Sequence, residues 1–250
     1  MKPFPYNSVL EEVESTNDYA RIMGEEGAPH GTWISAKLQK SGRGRLGREW
    51  KSNVGNLFLS AVLRPERDYP MTWIPLAVAL AVYQSARELK PELDLVLKWP
   101  NDLGIRDRKL GFRKIGGILC EGVGSASGTY IIAGIGVNCA IAPDTDQPTA
   151  ALGVNVDTFR ENLVKRIPGI IRGSFQDTRA DYTRASLLRR GDPIEWKDLR
   201  LEQESPLHPN ENRGVFESYG DHGELLARPD GELEVRRLFS EEVKLRVGKS

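Results

Sequence analysis

Gly42-Arg43-Gly44-Arg45-Leu46-Gly47-Arg48-Glu49-Trp50-Lys51-Ser52-Asn53-Val54-Gly55-Asn56-Leu57 is the stretch on which the fold turns. Its first six residues have the GxGxxG spacing of a dinucleotide-binding turn, and a strand-like run, Thr32 to Ala36, comes before them. Such a turn opens a helix packed on its own strand and is followed, about 20 residues on, by an acidic ribose ligand. Here the continuation is polar and broken at Gly55, and Leu57 opens a second apolar run. The loop therefore joins strand to strand, and a doubly wound nucleotide fold is excluded. From Lys37 to Lys51 six basic residues face the single acid Glu49, in a chain whose 35 basic and 35 acidic residues otherwise cancel. Glycines at 42, 44 and 47 let backbone N–H groups turn inward, and arginines fork onto phosphate or carboxylate oxygens, so the loop is suited to wrapping an anion. Standing alone, it reads equally as a solvated charged turn.

Outward from the loop, Ser15-Thr16-Asn17-Asp18 places small capping residues before Tyr19 to Met23, a short amphipathic helix ended by Gly24 and Gly27. Asn56 to Leu63 is a strand stopped at Arg64-Pro65, and Trp73 to about Leu89 is a buried helix. Leu95 to Trp99, Ile115 to Leu119 and Thr129 to Val137 are three more strands at hairpin-like spacing. Phe159 to Phe175 and Tyr182 to Leu188 are helical in pattern, with a break at Pro168-Gly169. After the turn Arg190-Gly191-Asp192, short alternating stretches appear, punctuated by Pro206, Pro209, Tyr219-Gly220-Asp221 and Pro229-Asp230-Gly231. They predict a small barrel-like domain with strands Val215 to Tyr219, Glu224 to Ala227 and Glu234 to Leu238. The fold class is α+β: a mixed, largely antiparallel sheet with flanking helices over 1–188, then a small β domain over 189–250.

With zero formal net charge the chain is not a general polyanion binder, so any nucleotide chemistry is local. The apolar run Trp73 to Tyr83 falls short of the roughly 20 residues a membrane span needs, and Met1 to Tyr6 lacks a signal-peptide core. A cytoplasmic protein with no membrane partner is expected. Cys120 and Cys139 sit in apolar runs and read as inert buried thiols, while His30, His208 and His222 have no zinc-site spacing. Gly248-Lys249-Ser250 imitates the end of a P-loop, but no chain follows to form its helix.

Three further runs carry chemistry. Lys98-Trp99-Pro100-Asn101-Asp102 ends a strand, where Pro100 sets the exit and presents an amide, a carboxylate and a lysine able to hold a Mg2+-nucleotide. Alone it is also a polar turn. Arg113-Lys114-Ile115-Gly116-Gly117-Ile118-Leu119 brings a cation into an apolar strand whose paired glycines permit close approach, unless Lys114 only snorkels. Gly134-Ile135-Gly136-Val137-Asn138 thins a strand and ends on an amide.

Taken in order, Ser15-Thr16-Asn17, Gly42 to Trp50, Lys98 to Asp102, Lys114 to Leu119 and Gly134 to Asn138 resemble the biotin protein ligases over most of the first 140 residues. The resemblance implies a class II aminoacyl-tRNA synthetase-like catalytic domain and an SH3-like C-terminal domain. Some members carry an N-terminal winged helix-turn-helix. The short lead-in before Ser15 leads us to expect the monofunctional form, without DNA binding. The implied chemistry forms biotinyl-5′-AMP from biotin and ATP, then passes biotin to a lysine of a biotin carboxyl carrier protein or domain. By the same resemblance Ser15, Thr16, Asn17 and Gln39 would hold the ureido ring of biotin. Arg43, Gly44, Arg45 and Lys114 would gather at its carboxylate and the adenylate phosphate. Arg48, Trp50, Lys98, Asn101 and Asn138 would serve the nucleotide, with Asp102 aiding Mg2+, and Lys114, Arg45 and Asp102 would be the catalytic set.

The chain departs from the family pattern by carrying two Arg-Lys pairs, Arg108-Lys109 and Arg113-Lys114. Lys109 keeps the distance from Asp102, whereas Lys114 keeps its distance to the Gly-Gly-Ile-Leu strand. Strand register fixes where a side chain points and extra residues can loop out upstream, so Lys114 is the expected active-site lysine. A lipoate or octanoate transferase shares the catalytic fold and is the nearest alternative. An RNA-binding module is less suited, since Trp50 is the loop's single stacking surface. Homodimer formation through exposed β edges stays open.

Overall fold

A computed structural model describes residues 6–66, 69–125, 128–197, 211–239 and 242–245. Pro206, Pro209, His208 and the terminal Gly248-Lys249-Ser250 lie outside the described residues. The first sheet has seven strands in the order β1-β2-β3-β7-β6-β5-β4. These are β1 Ser8–Val13, β2 Trp33–Gln39, β3 Leu57–Leu63, β4 Leu95–Lys98, β5 Asp102–Asp107, β6 Gly111–Ser125 and β7 Gly128–Val137. Only the β1–β2 pair is parallel, as expected of a mixed, largely antiparallel sheet. The helices are α1 Thr16–Glu25, α2 Ile74–Leu89, α3 Val156–Val164 and α4 Phe175–Ala185.

Period-two alternation assigns the two faces of the sheet. Leu57, Leu59, Ala61 and Leu63 of β3 and Ile131, Ala133, Ile135 and Val137 of β7 enter one large core beneath α2. Helix α2 is apolar nearly all round because it is enclosed by the sheet, α3 and α4. The intervening residues Val62, Tyr130 and Ile132 meet Ala20 and Met23 of α1 in a smaller core on the opposite face. Helix α1 covers only part of that face, and the remainder carries the site.

Several elements differ from the sequence reading. The lead-in before Ser15 is the edge strand β1, and Asp102 opens a strand, β5, where a turn was expected. The predicted helix Phe159 to Phe175 is α-helical only as far as Val164, with a 3-10 turn at Ile167–Gly169 where the break at Pro168-Gly169 was expected, and the helix expected over Tyr182 to Leu188 runs instead from Phe175 to Ala185. Gly24 does not end α1. It lies inside the helix, where the Tyr130 ring leaves no room for a side chain, and Gly27 beyond the end takes φ +87°.

The second sheet is antiparallel, ordered β11-β10-β9-β8-β12, from β8 Pro193–Lys197, β9 Glu211–Tyr219, β10 Leu225–Pro229, β11 Arg236–Leu238 and β12 Glu242–Leu245. Trp196, Phe216, Tyr219 and Leu225 join the same large core as the first sheet. Edge-to-face contacts link Phe175, Trp73, Tyr182 and Tyr219, and each such pair adds about 0.5–1.5 kcal/mol beyond the area it buries. Two indoles clamp the β9–β10 turn: Trp73 Nε1 donates to the Asp221 carbonyl at 3.1 Å and Trp99 Nε1 to the Gly223 carbonyl at 2.8 Å. Trp99 belongs to the Lys98–Asp102 turn, in which the Trp99–Pro100 peptide is cis. The second sheet thus braces the chemistry-bearing turn of the first.

Replacing Trp99 with Phe keeps the ring but strands the buried Gly223 carbonyl, at an expected cost of about 1–3 kcal/mol in urea unfolding. Unchanged stability would show that this clamp is idle. His30 offers a pH test. Its Nδ1 accepts from the Arg64 N–H at 3.0 Å and its Nε2 lies 3.1 Å from the Pro168 carbonyl, an arrangement requiring a neutral ring. Burial first, then the Arg172 charge, lowers its pKa below 6.5, against the Pro168 hydrogen bond and Glu66. Because the folded value is depressed, stability from His30 is complete above its unfolded value and is lost as pH falls from about 6.5 toward the folded value. Thermal melts between pH 7 and 5 should show that slope flattened in His30→Asn. An equal slope in both proteins would assign it elsewhere.

Candidate active site

The uncovered face of the first sheet is a cavity whose floor lacks side chains. Gly134 and Gly136 of β7 share a face with Tyr130 and Ile132, and Gly117 of β6 lies opposite Gly136. A methyl group at Gly134 would run into Asn17 Oδ1, one at Gly136 would sit 2.5 Å from Trp50 Cε2, and one at Gly117 3.0 Å from Trp50 Cζ3. The indole therefore lies flat on the strands. Trp50 Nε1 is buried without a hydrogen-bond partner, a donor positioned for an acceptor brought from outside.

All the sequence-selected residues meet in this one cavity. Ser15, Thr16, Asn17 and Gln39 line one end; Arg43, Gly44, Arg45, Arg48 and Trp50 form the roof; Lys98, Asn101, Asp102, Lys114 and Asn138 close the other side. The Gly/Arg loop folds as a tight hairpin, with Gly44 N–H donating to Arg48 O at 2.7 Å and Trp50 N–H to Gly42 O at 2.9 Å. Its tip is a 3-10 turn, Arg45–Gly47, in which Leu46 takes φ +58° and is 62% exposed. A leucine held in the left-handed region at the tip of a polar loop is a strained conformation of the kind found at functional sites. Arg45 Nη1 donates to Asn101 Oδ1 at 3.2 Å, joining the roof to the opposite wall. Arg43 also lines the cavity, with both its terminal nitrogens forked onto Asp18 of α1, at 3.0 and 2.5 Å.

At the Ser15 end, the start of α1 opens onto the cavity. Ser15 occupies the N-cap position but makes no side-chain cap bond. Instead Gln39 Oε1 accepts from the Thr16 N–H at 2.8 Å and from Thr16 Oγ1 at 3.0 Å. That commits the Gln39 oxygen inward and leaves its NH2 group as the donor for a ligand.

A β-bulge sets which of the two lysines faces the cavity. Leu103 pairs with Gly116 but Gly104 pairs with Lys114, so β6 carries an extra residue at Ile115. The bulge lets Ile115 and Ile118 both enter the core while Lys114 and Gly117 face the cavity. Lys114 Nζ lies 2.7 Å from Asp102 Oδ1 and 5.3 Å from the Trp50 ring centroid. The Asp102 contact is an ion pair by distance without the angle of a directed hydrogen bond. Lys109 is exposed on the β5–β6 turn, where Asp107 Oδ1 accepts from the N–H groups of Lys109 and Leu110.

The sequence reading passed over the loop after Asn138. Pro143, Thr145, Gln147 and Thr149 form a further wall of the cavity. This loop is stitched to the Lys114 strand by Lys114 N–H to Pro148 O, Ala150 N–H to Lys114 O and Arg113 Nε to Thr149 O, at 2.9, 2.8 and 3.0 Å. Asn138 is part of that seam, its Nδ2 donating to Ala150 O at 3.2 Å. The alternation of Pro with Asp, Thr and Gln directly after a thinned strand was the available signal. Burial pushes the thiols of Cys120 and Cys139 up to about 12, so both are inert at neutral pH.

Arg43, Arg45, Arg48, Lys51, Lys98 and Lys114 line the cavity against the acids Glu49 and Asp102. The excess defines an anion-handling cleft with a polar, hydrogen-bonding pocket at one end, on an α+β sheet. Comparison with known proteins agrees. Residues 9–138 match the sequence pattern of the biotin/lipoate A/B protein ligase family. A biotin-(acetyl-CoA-carboxylase) ligase of Paracoccus denitrificans is 37% identical over 240 residues, covering 88% of this chain and 93% of the relative. The chain belongs to the biotin/lipoate A/B protein ligase family. Its fold is that of the Aquifex aeolicus biotin protein ligase solved with biotin and ATP, with a TM-score of 0.74, 24% identity and coverage of 96% and 98%. It also matches the Leishmania major biotin protein ligase solved with biotinyl-5-AMP, with a TM-score of 0.61, 23% identity and coverage of 93% and 98%.

Gly136→Ala tests the floor. The added methyl should displace the Trp50 indole and cost about 1–3 kcal/mol in denaturant unfolding, yet be nearly neutral in a Trp50→Ala background. The same penalty in both backgrounds would place the clash elsewhere.

Proposed function

We propose that this protein is a biotin protein ligase: it activates biotin with ATP to biotinyl-5′-AMP, then transfers the biotinyl group to a lysine of a biotin carboxyl carrier protein or domain of a carboxylase. The observation that carries this reading is the polarity of the cavity. One end holds fixed amide and hydroxyl groups, and the other a cluster of cations, matching a ligand with a cyclic urea at one end and a carboxylate at the other. Ser15, Thr16, Asn17 and Gln39 receive the ureido ring. Gly44, Arg45 and Lys114 hold the carboxylate and the adenylate phosphate, and Arg48, Trp50, Lys98, Asn101 and Asn138 form the nucleotide side. Arg43 contributes through its grip on Asp18, which pins the loop to α1.

In the first step a carboxylate oxygen forms a bond to the α-phosphorus and the bond to pyrophosphate breaks. Two anions approach each other, so Lys114 and Arg45 act by placing fixed positive charge where the phosphoryl charge builds. Magnesium enters as part of the nucleotide substrate. Among the described residues no group of three or more His, Cys, Asp or Glu could cage a metal, and Asp102 is already paired with Lys114. Asp102, on the cavity wall beside Lys114, would be the carboxylate to meet a nucleotide-bound Mg2+, which would neutralise phosphate charge there. In the second step the acceptor amine attacks the acyl carbon, AMP leaves, and the amine loses a proton as the amide forms. The Gly/Arg roof shields the acyl adenylate from water meanwhile. Residues 1–188 form the catalytic domain in this reading and 189–250 a small SH3-like domain that braces it. A cytoplasmic location is part of the same proposal; no described helix is long and apolar enough to cross a membrane.

Biotin-dependent pyrophosphate exchange tests the proposal. Lys114→Ala should lower exchange by about 100-fold or more, while Lys109→Ala stays within about twofold. The reverse pattern would overturn the lysine assignment. A wild-type protein without biotin-dependent exchange would overturn the function.

A further inference from the structure

Glu121 of β6 lies beyond Gly117 and Leu119 on the same face of the strand, outside the ring of residues that line the cavity. It reaches Asn17 across the sheet: Asn17 Nδ2 donates to Glu121 Oε2 at 2.6 Å. The other carboxylate oxygen lies 3.3 Å from Arg21 Nη2, one helical turn after Asn17 on α1. Asn17 Oδ1 accepts from Ser60 Oγ at 2.6 Å, and Ser60 Oγ is 2.7 Å from Thr16 Oγ1, which leads on to Gln39. The missing side chain at Gly134 lets the strand lie directly beneath the Asn17 amide, where an added methyl would sit 2.3 Å from Oδ1.

From this geometry we infer that Glu121 is a positioning residue for the ureido end of the cavity, acting through Asn17; the inference rests on the biotin reading above. An ionised carboxylate only accepts hydrogen bonds, so it admits one of the two Asn17 flips, with Nδ2 toward Glu121 and Oδ1 toward Ser60. The fixed charge thereby sets the direction from Glu121 through Asn17 to the Ser60 hydroxyl, which donates to Asn17 Oδ1, while Thr16 separately fixes Gln39 by donating to its Oε1. The ligand then meets an acceptor oxygen from Asn17 and donor hydrogens from Gln39. A cyclic urea, one carbonyl between two N–H groups, needs both. Without the carboxylate, the two flips of Asn17 differ little, and half the ensemble presents a donor where the ligand also brings one. Arg21 holds Glu121 in place and balances its charge.

Calorimetric biotin binding and two-substrate kinetics test this. Glu121→Ala should weaken biotin binding about tenfold or more, the worth of one charge-assisted hydrogen bond, with KM for ATP and kcat within about twofold. Glu121→Gln keeps an acceptor oxygen and should recover most of the affinity. In an Asn17→Ala background, Glu121→Ala should cost nothing further. The inference is overturned by an undiminished affinity in folded Glu121→Ala, by an equal loss with and without Asn17, or by kcat and KM for ATP failing together with biotin binding. Absence of biotin binding by the unaltered protein would overturn the functional reading along with it.

Discussion

Two neighbouring strands without side chains on one face are the constraint from which the rest of the site follows. Sheets normally present a side chain at every second residue on each face, and β7 does so at Tyr130 and Ile132 before its glycines begin. Removing the side chains at Gly117, Gly134 and Gly136 opens a trough about one ring thick. Asn17 fills it from the α1 end and Trp50 from the loop end. The opposite face of the same strands stays fully apolar, so opening the trough does not weaken the large core beneath it.

Function needs both rigidity and motion around that trough. The floor, the start of α1 and the Lys98–Asp102 turn are held by the sheet ladder, by the large core, and by the indole clamps onto the second sheet. The roof is held by a short hairpin, the Arg45–Asn101 bond, the half-exposed Arg43–Asp18 pair, the Lys51 bond to the Asp144 carbonyl and the packing of the Trp50 indole on the strands. Exposed pairs of that kind contribute about 0–1 kcal/mol.

Sequence patterns revealed much of this because local chemistry and fold agree. The long apolar runs of β3, β7 and α2 were legible as buried elements, and the GxGxxG spacing was correctly set aside because a strand follows it. Legibility failed where polarity or turn residues masked an extended backbone. Strand β1 carries Glu11 and Glu12 because it is an edge strand. Strand β5 begins at Asp102 and contains Gly104, whose missing side chain makes room for Phe112. Strand β8 starts on Pro193, and β12 is only four residues long. At the site, Ser60 and Glu121 were invisible because each sits in an otherwise apolar strand, far in sequence from Asn17. The loop carrying Thr145 and Thr149 looked like a plain connection.

By itself the sequence determined most of the residues that form the cavity, though not the Pro143–Thr149 wall, and what charge it carries, because glycine, arginine and proline constrain the backbone and the electrostatics wherever they stand. It also narrowed the lysine to two candidates. The register of the Gly-Gly-Ile-Leu strand already favoured Lys114, but only tertiary structure shows how it comes to face the cavity, since the bulge at Ile115 exists only in the pairing of β6 with β5. The same holds for the partners of Arg43 and for the orientation of the Asn17 amide. Each is set by a carboxylate brought within 3 Å by folding, Asp18 for one and Glu121 for the other. Such contacts depend on register and packing between distant segments, which composition and spacing along a chain do not encode.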